Sequence, residues 1–122
     1  MSTIKVDTIQ NTSGVESYTA RAWVNFNGTG TVAIRDSGNV SSITDNGTGV
    51  YSANFASSLP YSTYSFLGGL GNQGTASMRT FILQTTTNEG ATASLMTTSA
   101  VRAEASNGSS KYDAGIVSMH II

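Results

Sequence analysis

Apolar and polar residues alternate with a period of two along much of this chain, the pattern of strands that bury one face. Ile4 and Val6 alternate with Lys5 and Asp7; Ala20, Ala22, Val24 and Phe26 alternate with Arg21 and Asn25; Tyr51, Ala53 and Phe55 alternate with Ser52 and Asn54. Val32 and Ile34 flank Ala33 in a fourth run, and Tyr64 and Phe66 share a face in a fifth. A Thr-rich stretch over residues 75–87 supplies a sixth strand, and residues 91–105 and 115–122 supply the last two. Between the runs, Asn or Asp stands near Gly at residues 27–30, 36–39, 45–49, 88–90 and 107–109, the residue types that provide the positive φ of tight hairpin turns. Short strands joined by such turns predict an all-β fold, an antiparallel β-sandwich or jelly-roll-like domain. Residues 10–19 carry no apolar period and read as a linker, which divides the chain into an N-terminal extended arm with its linker (residues 1–19) and a β-sandwich domain (residues 20–122).

Composition strengthens the exclusion of helices. The chain has 18 Ser, 17 Thr and 13 Gly among 122 residues, all poorer helix formers than Ala. Only 11% of residues are charged and the net charge is -1, with the six Lys and Arg scattered singly, so no basic face can track a phosphate backbone and nucleic acid is not an expected partner. Cysteine is absent, which removes disulfides, thiolate nucleophiles and Cys-ligated zinc. No apolar run approaches the length of a membrane span, and residues 1–10 lack the apolar core of a signal peptide, so neither membrane insertion nor secretion is expected.

Catalytic constellations fare poorly. Gly69-x-Gly71-x-x-Gly74 spells a dinucleotide fingerprint, but a β-rich stretch follows where a phosphate-binding helix is required, so the glycines read as a loop. His120 is the single histidine, and no Gly-x-Ser-x-Gly elbow holds a serine for it. Asp36 and Asp45 are the best carboxylate pair for glycoside hydrolysis, yet turn formation accounts for each of them alone. No catalytic residue, metal site or cofactor is therefore expected. The motif Asn-Gly-Thr-Gly occurs at Asn27 and again at Asn46, too few copies for a solenoid, and both read as hairpin turns. Five Asn-x-Ser/Thr triplets, at Asn11, Asn27, Asn39, Asn46 and Asn107, mark surface turns.

Aromatic positions offer contact chemistry instead. Trp23 falls on the face opposite Val24 and Phe26, so its strand is either buried on both sides, the expected state if subunits pack against it, or exposes the indole for binding. Residues 60–74 form the best candidate receptor-binding loop, with Tyr61 and Tyr64 near its base and Asn72 and Gln73 among glycines, a mixture suited to the faces and hydroxyls of a glycan. The apolar edge Ile4, Val6 and Ile9 marks the arm as an assembly segment, because an unpaired strand of that kind joins another sheet. Ala20, Ala22, Ala91 and Ala93 provide uncharged strand faces that could pack between chains.

Residues 21–35 (RAWVNFNGTGTVAIR) and 39–55 (NVSSITDNGTGVYSANF) closely resemble a segment of bacteriophage tail-fibre proteins, notably from phages of marine and freshwater bacteria, cyanobacteria included. The opening STIKVDTI at residues 2–9 is similar to the start of such virion proteins, and YDAGIVSMH at residues 112–120 resembles the family at the other end. The resemblance implies a virion structural protein made in the host cytoplasm, without enzymatic activity. It implies a homotrimer that meets other virion proteins and, as a tail-fibre or receptor-binding component, a host surface glycan. The alternative is a capsid decoration or baseplate subunit that grips the particle through its arm.

Overall fold

The computed structural model describes residues 2–10, 12–14, 20–71, 80–83, 95–107 and 110–122. In these residues every regular element is a strand: β1 (Ala22–Asn27), β2 (Ala33–Gly38), β3 (Val40–Asp45), β4 (Val50–Phe55), β5 (Phe66–Gly71), β6 (Thr80–Leu83), β7 (Ala100–Ser106) and β8 (Ile116–Ile121). They form two four-stranded sheets, ordered β2-β1-β8-β5 and β3-β4-β7-β6, with every neighbouring pair antiparallel. The all-β antiparallel sandwich expected from the alternation is the fold that forms. Each sheet is built around one hairpin from the first half of the domain, β1–β2 in one and β3–β4 in the other, so the two Asn-Gly-Thr-Gly motifs occupy equivalent turns in opposite layers.

The crossing between these hairpins takes a single residue. Asn39 has φ 54°, the left-handed conformation that Asn tolerates better than most side chains, and the chain turns there from one sheet to the other. Its amide fixes the corner: Nδ2 donates to the carbonyls of Arg21 (3.2 Å) and Ser57 (3.1 Å), and Oδ1 accepts from the Ser57 N–H (2.8 Å). The four-residue turn expected at 36–39 is therefore mostly strand, because Asp36, Ser37 and Gly38 pair with Asn25, Val24 and Trp23.

Three other expectations are corrected by the pairing. Residues 2–9 belong to no strand, since alternation supplies a face and not a partner. Strand β3 was not expected from the sequence; it lies at a sheet edge, and a register shift between Val40 and Ser42 breaks the period of its two apolar residues, Val40 and Ile43. The glycine run expected as a loop is largely β5, paired with β8 from Phe66 to Gly71.

The core is an interdigitation of rings with alanines. Phe26 of β1 meets Tyr51 of β4 edge-on across the layers, with ring centroids 5.1 Å apart, and Phe66 of β5 meets Phe81 of β6 at 5.8 Å. Opposite these rings the inward row of β7 is Val101, Ala103 and Ala105, all fully buried, and small side chains there leave the volume the rings fill. Ala22 is also fully buried in this core, so it is not available to pack between chains as expected.

One pole of the sandwich is tied by Asp113. Its Oδ1 accepts from the Gly49 N–H (2.9 Å) and lies 3.0 Å from the Tyr51 hydroxyl, which also reaches the Gly28 carbonyl (2.8 Å). The Gly28 N–H donates to the Ala114 carbonyl. Gly49 is required here twice over: its φ is +70°, and a Cβ would meet the backbone of Tyr112 and Ala105 at 2.7–2.8 Å. Thus the segments 21–35, 39–55 and 112–120 converge on one clasp joining the two layers.

Candidate functional site

The outer face of the β2-β1-β8-β5 sheet collects the chemistry that the core does not use. Register places Gly38, Trp23, His120 and Leu67 in one row across the four strands, and Asp36, Asn25, Ser118 and Gly69 in the next. Trp23 lies over Gly38: a Cβ at position 38 would collide with the indole Nε1, so glycine is what lets the ring settle on its neighbour strand. Trp23 is half-buried by this contact, while His120 and Leu67 are exposed. Arg21 precedes Trp23 by two residues, the spacing that puts side chains on one side of an extended chain, and its guanidinium stands 5.0 Å from the Tyr61 ring centroid in a cation–π contact. Beyond the second row, Arg35 donates to the Gly115 carbonyl (2.6 Å) and to Asn25 Oδ1 (3.3 Å), which holds the edge strand against the sheet centre.

The opposite outer face is different in kind. On the β3-β4-β7-β6 sheet, Asn54 Nδ2 donates to Ser42 Oγ and Thr44 Oγ1, and Asn46 Nδ2 donates to Ser52 Oγ. This is a hydroxyl and amide ladder across the β3–β4 hairpin.

The expected contact residues separate. Tyr61 is exposed at the rim of the Trp23 face, beside Arg21. Tyr64 is a core residue at 4% exposure, packed edge-on against Phe55, and its hydroxyl lies 2.9 Å from the Thr97 carbonyl and 3.1 Å from that of Ala100. Burial corrects the contact role expected for it and pushes its hydroxyl pKa up to about 12. Asn72 and Gln73 lie outside the described residues, as do Ala91 and Ala93. Ile4, Val6 and Ile9 are exposed along the arm. Residues that sequence reasoning left unassigned, His120 and Leu67, join the face only through the strand order β1-β8-β5, which no local pattern carries. For Trp23 the signal was its position opposite the core-facing row.

Asp36, Asp45 and Asp113 behave as turn and clasp groups. Asp45 Oδ1 accepts from the Gly47 N–H (3.0 Å), Asp36 Oδ1 from the Ser37 N–H (2.9 Å), and Asp113 is held in the polar clasp. The buried Tyr51 hydroxyl beside Asp113 is raised well above the ordinary tyrosine range, first by burial and then by the carboxylate. Among the described residues, no group of three or more His, Asp or Glu is placed to hold a metal ion. The outer face thus offers stacking, apolar contact and hydrogen bonding, the chemistry of association. No protein-family model matches the chain, and no curated protein or solved structure is significantly similar to it.

Proposed function

We propose that this chain is a structural module of a phage virion, a tail-fibre or receptor-binding component that assembles with copies of itself, as a homotrimer, and meets the host surface. The observation that carries the reading is the distribution of exposed apolar side chains. Ile4, Val6 and Ile9 lie on the arm, and Leu67, Ile116 and Ile122 lie on one sheet face with Tyr61 at its rim. Scattered apolar residues are ordinary on any surface, whereas two concentrated sets mark surfaces built for partners. The tail-fibre resemblance supports the virion assignment, and the strings that carry it are the segments that build the two hairpins and their clasp.

Host contact then belongs to the rim around Tyr61 and Arg21, where an aromatic ring and a guanidinium can meet a glycan. Few charges are available for long-range steering, so each site binds weakly and adhesion depends on several copies acting together. A second reading, a capsid decoration or baseplate subunit, is favoured by the exposed arm, which suits anchoring to a particle. Antibody labelling of virions in the electron microscope separates them: label at tail tips supports the first, label on the shell or baseplate supports the second, and unlabelled particles overturn both.

A further inference from the structure

The tetrapeptide Asn-Gly-Thr-Gly stands once at the end of β1 and once before β4, and its two copies meet different surroundings. An Asn followed by Gly is open to one spontaneous reaction, because no Cβ on the following residue shields its main-chain nitrogen. That nitrogen attacks the Asn Cγ and forms a five-membered imide. The Cγ–Nδ2 bond breaks, and ammonia leaves carrying the proton that the glycine nitrogen gives up. Water then opens the imide at either carbonyl, to aspartate or to isoaspartate. One water enters, one ammonia departs, and no electrons are exchanged with another reactant.

At the first copy both reacting groups are held. Gly28 is buried, its N–H donates to the Ala114 carbonyl (2.8 Å) within the clasp, and a Cβ built on it would collide with the Tyr51 hydroxyl. Asn27 Oδ1 accepts from the N–H (3.0 Å) and the hydroxyl (2.7 Å) of Thr29, which fixes its side chain. Ring closure there requires the clasp to open first. At the second copy Gly47 is exposed, and a Cβ built on it would meet nothing within 4 Å. Its N–H donates to Oδ1 of the exposed Asp45 (3.0 Å). Asn46 Nδ2 donates to Ser52 Oγ (2.8 Å) and to the Thr44 carbonyl (3.4 Å), exposed contacts for which water can substitute.

We propose that Asn46–Gly47 is a site of spontaneous deamidation in the folded chain, and that the clasp protects Asn27–Gly28. Conversion adds a carboxylate beside Asp45 in the β3–β4 turn and removes the amide donor that reaches Ser52. The proposal is independent of the virion and assembly readings.

The full-length protein is kept warm at mildly alkaline pH and sampled over weeks, with circular dichroism confirming the fold at each sampling. Cleavage after Arg21, Arg35 and Arg79 puts Asn27 and Asn46 on separate peptides, residues 22–35 and 36–79. Fragmentation in the mass spectrometer then reads NH exchanged for O at each asparagine. Conversion at Asn46 should run about tenfold or more faster than at Asn27. In the same chain unfolded in denaturant the two copies should convert at similar rates, since the tetrapeptides are identical. Tyr51→Phe removes the hydroxyl that reaches the Gly28 carbonyl and should raise the Asn27 rate several-fold while leaving the Asn46 rate unchanged. Equal rates at the two copies in the folded chain, or faster conversion at Asn27, overturn the proposal. So does a folded chain that stays unconverted at Asn46 while the unfolded chain converts there. An Asn27 rate that Tyr51→Phe leaves unmoved overturns the protective role of the clasp.

Discussion

Single residues set the corners of this sandwich, and Asn39 is the clearest. It combines a left-handed backbone with an amide bonded to Arg21 and Ser57, so one side chain holds the start of β1, the β2–β3 crossing and the turn after β4. Asn39→Ala places a Cβ-bearing residue in the strained conformation without those bonds and should cost about 2–4 kcal/mol in denaturant unfolding. Asn39→Gly keeps the conformation free of strain and should cost less, which separates the backbone contribution from the amide. Buried tyrosines set the alkaline limit. Tyr64 ionises at about 12 in the folded chain and at the ordinary 10.0 when unfolded, and Tyr51 is raised in the same direction. The unfolded state therefore loses its protons first: stability is intact below pH 10.0 and declines as pH rises from there towards 12. Thermal unfolding followed across that range should show a falling midpoint, with a shallower fall in Tyr64→Phe.

Elements were legible where alternation and pairing agree. Strands β1, β4 and β8 bury every second residue, and their inward rows Ala22-Val24-Phe26, Tyr51-Ala53-Phe55 and Val117-Met119-Ile121 are visible in the sequence as written. Strand β3 was illegible because an edge strand with a bulge needs no period, and β5 because its glycines satisfy a sheet by leaving room: a Cβ at Gly68 would collide with Phe81. The arm failed the other way, since its alternation implies a strand and residues 2–9 belong to none of the strands described. The same asymmetry governs the site. Tyr61 and Tyr64 look alike in the sequence and sit three residues apart, yet one rests on Arg21 in solvent and the other points into the core. At the clasp, Gly49→Ala should cost about 2–4 kcal/mol, combining the strain of a positive φ with crowding against Tyr112 and Ala105. An equal loss from Gly47→Ala, where φ is also positive but the Cβ would meet open space, would show that conformation alone decides and that the clasp contributes little.

At the scale of the molecule, the sandwich has one outer face with a hydroxyl and amide ladder on β3 and β4, one with Trp23, Leu67, Ile116 and Ile122 turned outward, and an arm carrying Ile4, Val6 and Ile9. A chain of 122 residues has a modest core, and the proposed association would add apolar burial that the single chain forgoes. Removing residues 1–12 leaves every strand intact, so the truncated chain should keep its β-type circular dichroism and lose its association. The central claim is that this is an assembling module, and light scattering of the full-length chain at micromolar concentration tests it most directly. The account predicts a mass three times 12.7 kDa that falls to a single chain when residues 1–12 are removed; a monomer for the full-length chain would contradict it.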